Sequence, residues 1–145
     1  MRLEKGYRDF GLDIDNIDTA LEAGLGFVVD LNKPDFTGRD ALVAQKAAGA
    51  LKRRLVQFLP HHPSRLCFPT SRSCVTGAYV GYIRADVYGP TLGASVGLGM
   101  FELAGRVTPD ILRSHRFKVE VNDRRITATP SLAPMYDAKS DRVRA

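Results

Sequence analysis

Hydrophobic and polar positions fall into short runs separated by turn residues. Leu25-Gly26-Phe27-Val28-Val29-Asp30-Leu31 is an apolar run of strand length and predicts a buried strand. Thr37-Gly38-Arg39-Asp40 then leads into Ala41-Leu42-Val43-Ala44-Gln45-Lys46-Ala47-Ala48, a stretch of strong helix formers. This predicts a helix with Thr37 as its N-cap, Asp40 at its positive end and Gly49 as its stop. Arg54-Leu55-Val56-Gln57-Phe58-Leu59 alternates enough to predict a strand, which His61-His62-Pro63 breaks. Further along, Gly, Pro and Ser punctuate four runs, Tyr79–Arg84, Ser95–Glu102, Phe117–Val121 and Arg125–Pro130. Asn122-Asp123 between the last two is a two-residue hairpin turn. Short strands at this spacing predict a small antiparallel β-barrel or sandwich. An α/β-like front therefore gives way to a β-rich back near residues 47–54, an α+β chain divided into 1–50 and 51–145.

Composition narrows the class. At 145 residues and 44% hydrophobic, the chain suits one domain with a small appendage and has enough apolar content for a core. No apolar run approaches the ~18 residues of a membrane helix, so a membrane protein is not expected. The charged start Met1-Arg2-Leu3-Glu4-Lys5 leads into no apolar core of a signal peptide. Cys67 and Cys74 fit neither a metal motif nor a disulfide framework. The expected compartment is reducing, cytoplasmic or an organelle matrix. His61 and His62 point opposite ways on an extended chain and read as a solvated turn rather than metal ligands. Residues 1–59 carry nine Lys+Arg and nine Asp+Glu; residues 60–145 carry twelve and seven, which accounts for the whole net charge of +5. A small basic β-barrel binding nucleic acid or protein is therefore an alternative reading. Scattered Lys/Arg and few aromatics in that part make nucleic acid the weaker choice. No nucleophile elbow or triad order is present. Gly97-Leu98-Gly99 sits in a strand setting, where glycine marks close backbone approach rather than a phosphate loop.

Four ordered blocks carry a resemblance. They are Arg2-Leu3-Glu4-Lys5-Gly6, Phe10-Gly11-Leu12-Asp13, Leu21-Glu22-Ala23-Gly24-Leu25 and Asp35-Phe36-Thr37-Gly38-Arg39-Asp40-Ala41-Leu42. With Tyr88-Gly89-Pro90-Thr91-Leu92-Gly93, Val119-Glu120-Val121, Arg124–Pro130, Met135-Tyr136-Asp137 and Arg142, they resemble the folate-binding aminomethyltransferase family. That family comprises the T-protein of the glycine cleavage system and the T-protein-like half of dimethylglycine and sarcosine dehydrogenases. The LEKGYR spelling is similar to the dehydrogenase-associated branch. Residues 64–77 do not resemble the hairpin usual at that place.

The resemblance implies the tail of a folate-binding α/β domain followed by a small antiparallel β-barrel. It implies tetrahydrofolate as cofactor, with FAD only in an upstream domain, if any. Glu4 stands where the family's pterin-binding glutamate stands, and a carboxylate suits a pterin because it accepts paired N–H groups. Tyr7 and Arg8 would flank that pocket by stacking and charge. A family arginine falls in the zone of Lys33 and Arg39, of which Arg39 is carried as the candidate. Tyr88 and Arg142 are barrel positions with packing and solvation as their ordinary roles, and Asp13 reads as a turn cap. No catalytic residue is assigned, because the larger part of the family's first domain, with its catalytic aspartate, precedes the Arg2-Leu3-Glu4 block. The chain is thus expected to begin inside that domain, to be inactive alone, and to expose apolar surface around Leu3, Tyr7 and Phe10 unless another copy covers it.

Overall fold

The computed structural model describes residues 2–49, 51–61, 77–142 and 144, and the backbone of 72–75. His62, Cys67 and most of the 64–77 stretch lie outside the described residues. A turn-rich segment, residues 2–38, leads into helix α1 (Arg39–Ala47). Six strands follow: β1 (Arg53–Pro60), β2 (Arg72–Val75), β3 (Ala78–Gly89), β4 (Ala94–Glu102), β5 (Phe117–Val121) and β6 (Arg124–Ser131). A short helix α2 (Pro109–Ser114) links β4 to β5. The strands close a barrel in the order β1-β4-β3-β2-β5-β6, with every pairing antiparallel. The expected barrel is present. Asn122 and Asp123 both take positive φ, 48° and 59°, which matches the twist of the β5–β6 hairpin.

Two apolar clusters hold the barrel. Inside it, Phe58, Phe101 and Phe117 pack tilted, with centroids 5.3–6.5 Å apart. Val56, Ile83, Val119 and Ala128 fill the space around them. Outside it, Leu55, Ala85, Val96, Leu98 and Met100 form a second cluster, covered by Leu3 from the front segment. β4 is therefore buried on both faces, and its run Val96–Phe101 is apolar without interruption.

Three expectations change. Leu25–Leu31 forms no strand: Gly26–Val28 is one turn of 3-10 helix, and Phe27 and Val28 are 79% and 64% exposed. Gly24, at φ +71°, ends the preceding turn, and no neighbouring strand offers the run a ladder partner. Apolar content without a partner does not make a strand. The N-cap of α1 is Gly38 in left-handed geometry rather than Thr37, with no side-chain cap bond, while Gly49 at φ +88° does end the helix. Leu3 is buried, not exposed, because the second cluster takes it in, whereas Tyr7 and Phe10 are 58% and 72% exposed. Among the described residues, no helix is long and apolar enough to cross a membrane.

Candidate functional site

The front segment has little regular structure, so polar anchors decide where it sits. Glu4 is buried, at 1% exposure. Its Oε1 accepts from the backbone N–H of Thr91 at 2.8 Å and of Leu92 at 3.0 Å, and its Oε2 accepts from Thr91 Oγ1 at 3.4 Å. Those two residues form the β3–β4 turn. Gly89 leaves the room: a Cβ there would stand 2.8 Å from Glu4 Oε1. Gln57 on β1 donates to the carbonyls of Leu3 and Glu4 and accepts from Met135 N at 2.7 Å. Lys5 pairs with Asp137 at 2.7 Å. Residues 2–6, the β3–β4 turn and the stretch at 135–137 thus converge on one end of the barrel.

A second anchor is charged. Asp18 is paired with Arg53 of β1 at 2.6 Å and with Arg84 of β3. Burial pushes the Asp18 carboxyl up, but the hydrogen bond and charge of Arg84 and the charge of Arg53 outweigh it, holding it below its ordinary 3.8. Asp137 is likewise lowered by its hydrogen bond from Lys5, against a smaller opposing effect of burial. Thr19 and Glu22 exchange side-chain to backbone bonds, Thr19 N to Glu22 Oε2 at 3.0 Å and Glu22 N to Thr19 Oγ1 at 3.2 Å. That reciprocal pair is a capping box. Glu22 O then accepts from Leu55 N at 2.8 Å, fastening the turn to β1.

The stability of this arrangement has a predictable pH dependence. Asp18 and Asp137 titrate below 3.8 when folded and near 3.8 when unfolded. The unfolded chain then binds more protons, so their contribution is present above 3.8 and is lost as pH falls through and below it. Thermal unfolding midpoints should fall with acid across roughly pH 5 to 3, and Asp18→Asn should flatten that slope. A slope unchanged in Asp18→Asn would show that the pairing contributes nothing.

The four sequence candidates meet different fates. Glu4 sits in the convergent cluster, beside the Lys5–Asp137 pair. Tyr7, three residues on, presents most of its ring to solvent. Arg8 turns inward, donating to Gly6 O at 2.6 Å and Ala23 O at 3.0 Å. Burial lowers its guanidinium, Asp13 offsets part of that, and Arg54 adds to it. Arg39 is apart from these, donating to Lys33 O at 2.9 Å and Leu31 O at 3.2 Å, and so holds the loop before α1. Asp13 caps its turn by accepting from Asp9 N at 2.7 Å and pairs with Arg2. Tyr88 is half exposed near the end of β3, and Arg142 lies over the Tyr136 ring. His61 is bound to Thr129 Oγ1 at 2.7 Å. Sequence reading missed Gln57, Thr91 and Arg84 as anchors, since each acts on residues more than fifty positions away.

Comparison with known proteins agrees with this arrangement. The glycine cleavage T-protein C-terminal barrel domain matches residues 53–137, more than half of the chain. The chain is 34% identical, over 99% of its length, to 4-methylaminobutanoate oxidase (formaldehyde-forming) of Paenarthrobacter nicotinovorans, of which it covers 17%. It is 35% identical, over 94% of its length, to the aminomethyltransferase of Thermosynechococcus vestitus, of which it covers 35%. It is 32% identical, over 99% of its length, to human mitochondrial sarcosine dehydrogenase, of which it covers 16%. In fold it is similar to the glycine cleavage system aminomethyltransferase T of Bartonella henselae, with a TM-score of 0.75 at 22% identity over 94% of this chain and 37% of that one. The chain therefore spans between a sixth and about a third of the length of these relatives. It belongs to the glycine cleavage T-protein family, of which it carries the C-terminal barrel domain together with the segment that docks onto it.

Proposed function

We propose that this chain supplies the barrel and one edge of the cofactor site in tetrahydrofolate-dependent one-carbon transfer from an aminomethyl or N-methyl donor. The observation that carries this reading is the docking of residues 2–6 on the barrel, which puts the glutamate of the Arg2-Leu3-Glu4 block against the β3–β4 turn. The residue types suit a pterin. Tyr7 has free ring surface for stacking, and the Glu4 carboxylate is the acceptor that a paired set of pterin N–H groups needs. In this arrangement the carboxylate is engaged by Thr91 and Leu92. Pterin binding and the shape of the β3–β4 turn are therefore coupled through one side chain. Arg8, held between Gly6 and Ala23, stiffens the backbone that carries Tyr7. Arg39 serves the site at most through the loop it holds. Bound folate would supply the acceptor nitrogens for the one-carbon unit; the chain's own part is to position it, an orientation effect.

Equilibrium binding of tetrahydrofolate to this chain joined to the N-terminal part of an aminomethyltransferase relative tests the reading. Glu4→Gln and Tyr7→Ala should each weaken binding by about tenfold or more, about 1.4 kcal/mol. Unchanged affinity in both would remove the folate role from this edge. The 145-residue chain alone should show no tetrahydrofolate-dependent turnover, and Glu4-dependent turnover by it would show that the site is complete without further protein.

A further inference from the structure

On the side of the barrel away from the β3–β4 turn, a cavity of about 430 Å³ opens between the 21–27 turn, the end of α1 and the start of α2. Leu21, Phe27, Leu51 and Val107 give it apolar walls, and Lys46 and Arg54 give it positive charge. Among the described residues, no carboxylate lines it. Two more cations stand close behind glycines of its wall. Arg8 Nη2 lies 2.9 Å from where a Cβ on Gly24 would be, and Arg106 Nη2 lies 3.8 Å from the same point on Gly49.

Arg54 is the anomaly. Its Nε is buried and has no hydrogen-bond partner among the described residues. Burial lowers its guanidinium from its ordinary value, and no carboxylate among the described residues offsets the effect. Arg8 is near enough for the two guanidiniums to repel. Among the described residues, Arg53 and Arg84 are paired with Asp18, Lys5 with Asp137 and Arg2 with Asp13, while Arg8 is held by the carbonyls of Gly6 and Ala23 with the charge of Asp13 offsetting part of its burial. A desolvated charge without a counter-charge is costly, and Arg54, which has neither the carboxylate that pairs with Arg53 nor the carbonyls that hold Arg8, is the cation that an incoming anion would relieve most.

We propose that the cavity binds an organic carboxylate with an apolar body. Since Nε is buried, the carboxylate would pair with the two terminal nitrogens of the planar Arg54 guanidinium, a geometry that suits bidentate pairing. Lys46 adds a second positive charge at the mouth, and the body lies against Leu21, Phe27 and Val107. Neither Glu4 nor the Thr91–Leu92 turn lines this cavity, so the inference does not rest on the folate reading.

Thermal unfolding of the 145-residue chain with hippurate, with its neutral amide and with inorganic phosphate is the test. Hippurate should raise the midpoint saturably by a few degrees, and the other two should not. Arg54→Met keeps the aliphatic stem but removes the unmatched charge. It should abolish the hippurate response and at the same time raise the midpoint of the free chain. Arg54→Lys, which keeps charge but loses the fork, should leave the free midpoint near the parent value and weaken the response several-fold. An equal response to phosphate would overturn the inference, showing general charge screening. So would an Arg54→Met chain that is less stable than the parent, which would make Arg54 a structural residue.

Discussion

Glu4→Ala should cost the free chain about 1–3 kcal/mol, the penalty of leaving two part-buried N–H groups without their charged acceptor. The groups are those of Thr91 and Leu92, both of which Glu4 Oε1 accepts in the folded chain. The loss requires no folate, because the carboxylate closes the β3–β4 turn whether or not a cofactor is present. Glu4→Gln keeps a carbonyl oxygen in the same place and should cost only about 1 kcal/mol. Gly89→Ala offers an independent check, since the added Cβ would stand 2.8 Å from Glu4 Oε1 and 2.9 Å from its Cγ. It should be destabilising in the parent and nearly neutral in Glu4→Ala, where the obstructing side chain has gone. Chemical denaturation of the four chains of this cycle gives the coupling directly. Additive effects would show that Glu4 does not hold the turn. Because Glu4→Ala damages the fold, only Glu4→Gln isolates a folate role for the carboxylate.

The same residues show why some of this was legible in sequence and some was not. β1, β4, β5 and β6 lie within two residues of their expected bounds, because alternation and the Asn122-Asp123 turn are local signals. β3 starts one residue before the expected Tyr79–Arg84 and runs five residues past it. Its register shifts between Ile83 and Ala85, so the inward and outward positions change places mid-strand and the alternation is lost. α2 is six residues long, too short for helical periodicity, although Thr108 followed by Pro109 was a start signal. Glu4 was legible only through the resemblance. Its actual partners are backbone N–H groups 87 and 88 positions away, which no local pattern encodes. The Asp18–Arg53–Arg84 cluster was hidden for the same reason. Arg54 was invisible in a different way: within Lys52-Arg53-Arg54 it reads as one more surface charge, and only the fold separates the matched Arg53 from the unmatched Arg54.

Gly81→Ala or Gly99→Ala should lower the unfolding midpoint sharply and broaden the transition. These two glycines sit in the β3–β4 ladder, Gly81 opposite Phe101 and Gly99 opposite Ile83. A Cβ on Gly81 would stand 2.1 Å from Met100 O, and one on Gly99 would stand 2.5 Å from Tyr82 O. Both obstacles are backbone, so no rotamer change relieves them; the strands must separate. β4 also carries Phe101 of the inner cluster and Val96, Leu98 and Met100 of the outer one, so separation opens both at once. The expected cost is more than about 4 kcal/mol, against a total of about 5–15 kcal/mol for a native domain. Gly105→Ala is the matched control. Its Cβ meets nothing within 4 Å and its φ is not positive, so the chain should keep its parent stability or gain slightly from a less flexible unfolded state. Circular dichroism melts of the three chains separate the cases. A sharp, parent-like transition in Gly81→Ala would mean that β3 and β4 do not pair in this register. The register also sets where the Thr91–Leu92 turn meets Glu4, so the glycines and the carboxylate stand or fall on the same ladder.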